Sequence, residues 1–162
     1  MAEKTNASRI LKSHHIQHNV IDFEVDIEDL SAAHVAAKLG INPVQILKTL
    51  VLQNSENQYL VAVIPSNYHV DLKKMAKASH SKKVEMIPMK DLLDVTGYLR
   101  GGCSPVGMKK QYPTYIEESA QLFEKICVSA GKRGFLLQLK PEDLKNLIHA
   151  EYVDLLEINT KR

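Results

Sequence analysis

The alternation of hydrophobic and polar positions predicts most of the β-structure in this chain. Residues 46–52 give the strongest strand pattern, and residues 59–64 are expected to return as its hairpin partner across the polar turn 54–57. Shorter runs of β-branched, aromatic and aliphatic residues predict further strands at 19–25, 84–87, 114–116, 125–128, 135–139 and 152–156. The pattern therefore indicates several short strands.

Residues that cap helices predict where the helical segments begin. These start signals are Thr5 or Asn6, Ser31, Asn42-Pro43, Asp71, Pro88 and Pro141. Gly40 is expected to end the helix over residues 32–39. Because helices and strands do not alternate regularly, we predict an α+β fold with a strongly curved mixed sheet, in a single domain over residues 1–162.

Composition narrows the class of protein. Hydrophobic residues make up 44% of the 162 residues and charged residues 25%, which is typical of a globular domain. The net charge of +2 does not by itself indicate a nucleic-acid-binding protein. The two cysteines do not form a disulfide framework, and no apolar run approaches membrane-spanning length. We therefore expect a soluble, cytoplasmic protein that does not contact a membrane.

The glycine loop, residues 97–107, concentrates candidate chemistry. It reads Gly-Tyr-Leu-Arg-Gly-Gly-Cys-Ser-Pro-Val-Gly and holds four of the seven glycines in the chain. Glycines in this density indicate positive φ angles or close approach of the backbone to another group, and Ser104-Pro105 adds a rigid corner. Such a loop can direct several N–H groups at a phosphate or an oxyanion. A long turn that binds no ligand remains the alternative.

Lys48 is the most informative single residue in the strand pattern. Period-two alternation places it on one face with Ile46, Leu50 and Leu52. An ammonium on an apolar face must reach out to water, pair with an acid, or meet an anionic ligand. The pattern alone leaves the first and the last of these open.

Other catalytic motifs are absent from the sequence. The seven histidines match no metal-binding template, and the chain has no nucleophile elbow, no phosphate-binding Walker loop and no dinucleotide fingerprint. Cys103 is a candidate nucleophile inside the glycine loop, although a neutral thiol is the commoner state of such a residue. Clusters of basic residues form either solvated faces or a discontinuous phosphate track; they are Lys73/Lys74/Lys77, Lys82/Lys83, Lys109/Lys110 and Lys132/Arg133.

Three motifs together resemble a known family. They are Lys48 within Ile-Leu-Lys-Thr-Leu, the glycine loop followed by Lys109-Lys110, and the later turn Ser-Ala-Gly-Lys-Arg-Gly. In this order and spacing they resemble the YbaK-type aminoacyl-tRNA deacylases, free-standing relatives of the editing domain inserted in bacterial prolyl-tRNA synthetases. The resemblance runs from about the first helix to the last, and the branch that matches best is the Cys-tRNA(Pro) deacylases.

The resemblance implies a fold and a function. The fold would be a small α+β domain whose curved mixed sheet is nearly a barrel, with a cleft between Lys48 and the glycine loop. The function would be trans-editing, the hydrolysis of mischarged aminoacyl-tRNA, with Cys-tRNA(Pro) as substrate and no metal or organic cofactor. An Ala-tRNA(Pro) deacylase and a non-catalytic tRNA- or nucleotide-binding module are the alternatives. The partners would be the 3′-terminal aminoacyl-adenosine of tRNA and prolyl-tRNA synthetase.

The resemblance also implies roles for individual residues. Lys48 would hold the 3′-terminal nucleotide, and Lys48, Gly101 and Gly102 would form the catalytic group. The loop residues that would cradle the aminoacyl ester or contact the substrate are Tyr98, Gly101, Gly102, Cys103, Ser104, Pro105 and Gly107. Phe23 supplies an aromatic residue on the first strand.

Two departures from the family pattern bear on the substrate pocket. Cys103 stands where an aliphatic residue is common. The segment 26–31 is about one residue shorter than in typical relatives and lacks an aromatic residue, which changes the upper wall of the pocket. Three nucleophiles then remain open, namely Cys103, a bound water and the thiol of the substrate itself.

Overall fold

The structure, a computed structural model, describes residues 5–26, 28 and 31–158. Within these ranges the α-helices are α1 Asn6–Ser13, α2 Ala32–Leu39, α3 Leu72–Ala78, α4 Leu92–Thr96 and α5 Pro141–Leu147. The strands are β1 His18–Asp22, β2 Leu47–Asn54, β3 Tyr59–Pro65, β4 Val84–Met86, β5 Thr114–Glu117, β6 Ile126–Ser129, β7 Phe135–Leu139 and β8 Glu151–Val153. Of the helices in these ranges, none is long and apolar enough to cross a membrane.

The strands form a mixed α+β fold, as predicted, but in two sheets. The larger sheet has the order β4-β2-β3-β5-β8, with antiparallel pairs around β2 and parallel pairs from β3 through β5 to β8. The smaller sheet is antiparallel, in the order β1-β7-β6. The two sheets meet through one parallel bridge between Ile46 and Cys127.

The expectation of a strongly curved, nearly closed sheet is therefore not supported. One edge of β2 is filled by β3 along its length. On the opposite edge, β4 pairs with Leu52 to Asn54, and the bridge to β6 is made by Ile46, the residue just before β2. A barrel needs a continuous ladder between neighbouring strands, and β4 takes the positions that such a ladder would use.

The main hydrophobic core lies between the two sheets and the helices α1 and α5. Leu11, Leu137 and Leu144 are fully buried in it. A second core joins α3 to the other face of the large sheet through Leu52, Ile64 and Met75, and the three are also fully buried. Each such side chain stabilises the fold by about 1.5–3 kcal/mol. These cores fix the strands that present the candidate site.

The predicted caps at Thr5, Asp71 and Gly40 are confirmed. The Thr5 hydroxyl accepts from the Ser8 amide at 3.1 Å, and the Asp71 carboxylate accepts from the Lys73 amide at 2.9 Å. Gly40 ends α2 with φ +69°. Local side-chain-to-backbone bonds of this kind depend on few residues, which is why the sequence predicts them well.

Several predicted boundaries are wrong. The first strand ends at Asp22 rather than at residue 25. Beyond Asp22, the Phe23 amide donates one more hydrogen bond, to the Gly134 carbonyl at 2.9 Å, and the regular pairing stops. The predicted helix over 88–95 divides into a 3-10 turn, Met89–Asp91, and the short α4. The last strand is β8 rather than 152–156, although Leu156 makes an isolated bridge to Val70.

Candidate functional site

A cavity of about 180 Å³ opens where the end of β1, α2, the start of β2 and the glycine loop meet. It is called here the lysine cavity. Its walls are Phe23, Glu24, Val25, Asp26, His34, Val35, Lys38, Ile46, Leu47, Lys48, Thr49, Ser66, Gly101, Cys103, Ser129, Arg133, Gly134 and Leu136. Lys48, Phe23, Gly101 and Cys103, which are distant in sequence, thus come together as expected.

Lys48 lies at the start of β2, opposite Ile64 of β3. Its face continues into apolar positions, since Leu50 and Leu52 pack in the second core. The side chain is half-buried, and burial lowers the pKa of its ammonium from the ordinary value. Among the described residues, none accepts a hydrogen bond from the Lys48 ammonium or pairs with it. Its hydrogen-bonding capacity is therefore open to a ligand in the cavity.

Gly101 and Gly102 contact the turn that follows β6. Gly101 has φ +83°, and a Cβ built on it would lie 3.0 Å from the Nε of Arg133. A Cβ on Gly102 would lie 3.3 Å from the Arg133 backbone nitrogen. The expectation was that these glycines leave room for a ligand. The contacts show that they also leave room for Arg133.

The backbone N–H groups of the loop are not equally available. The Gly102 amide donates to the Leu99 carbonyl at 2.9 Å and so closes a local turn. The amides of Gly101 and Cys103 make no hydrogen bond to an acceptor in the described part of the chain. Both of these residues line the lysine cavity, so their N–H groups are the loop donors that a bound oxyanion could use.

The second half of the loop holds itself together instead of lining this cavity. Ser104 is fully buried, and its hydroxyl accepts from the Val106 amide at 3.1 Å. The Tyr98 hydroxyl donates to the Val106 carbonyl. Pro105 and Gly107 line a separate cavity of about 340 Å³ on another side of the loop. Of the seven loop residues expected to bind substrate, only Gly101 and Cys103 line the lysine cavity.

Comparison with known proteins decides the family. Residues 28–147 match the aminoacyl-tRNA editing domain. The chain belongs to this family. The predicted resemblance is confirmed, because the match spans most of the chain and includes Lys48, the glycine loop and the Lys-Arg-Gly turn.

Individual relatives support the assignment of this editing domain. A protein of Enterococcus faecalis, EbsC, is 49% identical over 159 residues, which is 98% of this chain and 95% of EbsC; its provisional name is Cys-tRNA(Pro)/Cys-tRNA(Cys) deacylase. YwhH of Bacillus subtilis is 24% identical over 79% of this chain and 80% of its own length.

Among solved structures, a hypothetical protein superimposes with a TM-score of 0.84, 21% identity, and coverage of 92% and 97% of the two chains. A candidate trans-editing enzyme for prolyl-tRNA synthetase superimposes with a TM-score of 0.82, 21% identity, and coverage of 96% and 99%. At these identities the structural matches establish the fold of the editing domain.

The Cys103 thiol is protonated near neutral pH, which does not suit a nucleophile. The residue is 9% exposed, and burial raises the pKa of its thiol to about 11, although a hydrogen bond with Thr96 opposes the shift. Thiolates, not thiols, attack esters. Near neutral pH Cys103 is therefore a neutral part of the cavity wall.

Several polar wall residues were not predicted. The Thr49 hydroxyl is buried without a hydrogen-bond partner in the described residues, next to Lys48 in the sequence. The Ser129 hydroxyl accepts from the Gly131 amide at 3.1 Å. His34 lies 3.4 Å from the Asp26 carboxylate. Neither periodicity nor capping marks these positions, although Ser129 opens the Ser-Ala-Gly-Lys-Arg-Gly motif.

Two further sequence predictions concern this region. Phe23 lines the cavity as expected, but just beyond the end of β1. The prediction for the upper wall falls on the segment 26–31, of which residues 27, 29 and 30 lie outside the described residues. Within the described residues, no three His, Cys, Asp or Glu side chains come together as metal ligands.

Proposed function

We propose that this protein hydrolyses mischarged aminoacyl-tRNA in trans, with Cys-tRNA(Pro) as its substrate, in the lysine cavity. The observation that supports this most is that Lys48 lines the same cavity as Gly101 and Cys103. Lys48 is half-buried and has no hydrogen-bond or ion-pair partner among the described residues, and the N–H groups of Gly101 and Cys103 bond to no acceptor there. The 49% identity to EbsC supports the choice of the cysteinyl ester. The proposed substrate also implies the cytoplasm, where translation occurs.

The size of the cavity favours a small aminoacyl group. Its volume is about 180 Å³, and its walls are largely apolar. We therefore place the small aminoacyl group inside the cavity and the adenosine toward its mouth. Size alone separates cysteine from alanine poorly, since one small group is worth only about 1–3 kcal/mol in a pocket.

The arrangement supports a proposal for two parts of an ester hydrolysis. Lys48 would bind the 3′-terminal nucleotide and hold the ester in place by a charge-assisted hydrogen bond. The amides of Gly101 and Cys103 would stabilise the oxyanion of the tetrahedral intermediate, and one such donor is worth about 3–4 kcal/mol. Gly102 was first expected to take part in catalysis, but its amide already donates to the Leu99 carbonyl. We therefore assign the second oxyanion contact to the Cys103 amide.

The nucleophile would come from the substrate. The sulfur of a cysteinyl ester lies on its β-carbon, close to its own carbonyl carbon. The thiol loses its proton and its sulfur bonds to that carbon, while the bond from the carbon to the 3′-oxygen breaks and that oxygen takes up a proton to leave as the tRNA hydroxyl. The product is a four-membered thiolactone of cysteine, which water then opens to free cysteine, so that the net reaction is hydrolysis. Positioning then does most of the remaining work, because attack within one molecule has a high effective concentration. A bound water is the alternative.

Prolyl-tRNA synthetase would be the partner that delivers the substrate. With a net charge of only +2, the isolated protein offers few phosphate contacts to tRNA. Association with the synthetase would raise the local concentration of mischarged product.

Deacylation of Cys-, Ala- and Pro-tRNA(Pro), measured side by side, tests the proposal. We expect rapid loss of the cysteinyl ester and slow loss of the other two. Preference for the alanyl ester would make the protein an Ala-tRNA(Pro) deacylase. No turnover of any of the three would leave a binding module and refute the proposal.

A further inference from the structure

A third cation, Arg133, lines the lysine cavity besides Lys48 and Lys38. It lies in the turn between β6 and β7 and is exposed, whereas Lys48 is half-buried. Its Nε donates a hydrogen bond to the Arg100 carbonyl at 2.8 Å. The side chain is therefore attached to the glycine loop, although the two segments are far apart in the sequence.

The glycines of both segments make this placement possible. A Cβ on Gly101 would lie 3.0 Å from Nε, 3.4 Å from Cγ and 3.6 Å from Cδ of Arg133, so the arginine stem lies directly over that glycine. A Cβ on Gly102 would press on the backbone of Lys132 and Arg133 at 3.3–3.4 Å. Gly134 follows with φ +91°. Close packing of two glycine motifs thus fixes the position of one arginine.

The guanidinium keeps most of its binding capacity. Nε is used, but the two terminal nitrogens retain four N–H bonds, and the group stays charged at any physiological pH. Within the described residues no carboxylate forms an ion pair with Arg133. Two acidic residues, Glu24 and Asp26, line the same cavity; Asp26 lies 3.4 Å from His34, and in the described part of the chain neither forms an ion pair with Arg133. A preoriented, uncompensated guanidinium at a cavity mouth suits a phosphate, which it can bind through two parallel hydrogen bonds.

We infer that Arg133 binds the phosphate on the 5′ side of the 3′-terminal adenosine, at the mouth of the lysine cavity. This inference rests on the proposed function. The aminoacyl ester carries no negative charge, so the anion nearest to it is the phosphodiester on the same sugar. With the aminoacyl group inside and the adenosine at the mouth, that phosphate lies toward solvent, where Arg133 is exposed and Lys48 is not. Arg133 is thus a phosphate-binding residue outside the reacting atoms.

Two small substrates test this directly: 2′(3′)-O-cysteinyl-adenosine with and without a 5′-phosphate. For the unmodified protein we expect the phosphate to raise kcat/KM by about 10- to 100-fold, mostly through KM, as for a hydrogen bond to a charged group. Arg133→Gln should remove this advantage, leaving both substrates at the rate of the phosphate-free one. Arg133→Lys should restore only part of it, since a lysine cannot make the Nε bond to Arg100 and the two parallel bonds together.

Lys132→Gln is the matched control. It removes the same charge from the same turn, but the Lys132 ammonium lies 5.6 Å from the centre of the Phe135 ring and does not line the cavity. We expect it to keep the phosphate advantage. An equal loss in both variants would show a general electrostatic attraction and overturn the assignment to Arg133.

The phosphate-free substrate also reports on folding. If Arg133→Gln cleaves it at the unmodified rate, the variant is folded, and a persistent phosphate advantage would then refute the inference. If the variant loses activity on both substrates to the same extent, Arg133 has a structural role and the inference is wrong. If the unmodified protein cleaves neither substrate nor Cys-tRNA(Pro), the proposed function itself fails. If it cleaves both substrates equally well, only the phosphate site fails.

Discussion

The hydroxyl of Tyr98 lies 2.5 Å from the carbonyl oxygen of Val106 and closes the glycine loop on itself. Tyr98 also packs against two glycines: a Cβ on Gly107 would lie 2.8 Å from its hydroxyl oxygen, and a Cβ on Gly131 would lie 2.7 Å from the ring carbon Cε1. Tyr98 was expected to contact substrate. In the structure its contacts tie the loop to the turn that carries Arg133.

Tyr98→Phe should therefore affect stability more than catalysis. Loss of one partly buried hydrogen bond destabilises a protein by about 0.5–1.5 kcal/mol. We expect that decrease in the free energy of unfolding, measured by urea denaturation, with kcat/KM changed by less than about threefold. A large rise in KM at unchanged stability would return Tyr98 to the substrate-binding group.

Lys48→Ala should abolish deacylation and leave the fold intact. Among the described residues the ammonium makes no hydrogen bond or ion pair, so its removal breaks none, while the substrate loses a charge-assisted hydrogen bond. We expect kcat/KM to fall by about 100-fold or more, with an unchanged or slightly raised Tm. Lys38→Ala is the control: that ammonium lines the same cavity but donates to the Glu24 carbonyl at 2.8 Å. Equal losses in both variants would contradict a specific role for Lys48.

Gly101→Ala and Gly40→Ala separate backbone strain from contact. Both glycines have positive φ, but a Cβ on Gly40 meets nothing within 4 Å, whereas one on Gly101 meets Arg133. Each alanine should destabilise the protein by about 1–2 kcal/mol through strain. Only Gly101→Ala should also lower kcat/KM, because it displaces Arg133. Thermal denaturation and deacylation assays on both variants measure the two effects, and an equal fall in activity would show that strain alone is responsible.

Gly102→Ala should act differently again. Its Cβ would meet backbone atoms of Lys132 and Arg133, which yield less easily than the end of a side chain. We expect a loss of both Tm and activity. Full stability with lost activity would favour the original expectation that this Cβ crowds the ligand.

Cys103→Ala should remain active, since burial raises the pKa of this thiol to about 11. Ser-tRNA(Pro), the oxygen counterpart, should be cleaved far more slowly than Cys-tRNA(Pro). If the substrate thiol attacks, the rate should rise with pH toward a plateau near the ordinary thiol pKa of about 8.5. A rate that keeps rising toward pH 11, together with an inactive Cys103→Ala, would identify the enzyme thiol as the nucleophile.

Binding of tRNA by the isolated protein should be weak and fall steeply with salt. Scattered lysines and a net charge of +2 give few phosphate contacts, each of which releases counterions. Titration of tRNA(Pro) at several salt concentrations, with and without prolyl-tRNA synthetase, measures this. We expect the synthetase to increase the apparent affinity. Tight, salt-insensitive binding by the protein alone would contradict both expectations.

The sequence by itself determined the local structure of this protein. Thr5, Asp71 and Gly40 cap helices through contacts within a few residues, and the hairpin of β2 and β3 follows from alternation and a short polar turn. The three motifs that identify the family are also readable in the sequence. These features need no knowledge of distant partners, because their hydrogen bonds close over short separations along the chain.

Only the tertiary structure decided how the sheets and the cavity are built. The position of β4 on the edge of β2 divides the strands into two sheets, and pairing with β7 ends β1 at Asp22. Likewise, the sequence suggests that Gly101 faces a ligand, whereas in the structure the Arg133 side chain packs over it. Pairing partners and contacts of this kind join residues far apart in the sequence, and period-two or helical patterns carry no information about which distant segment fills a given edge or covers a given glycine.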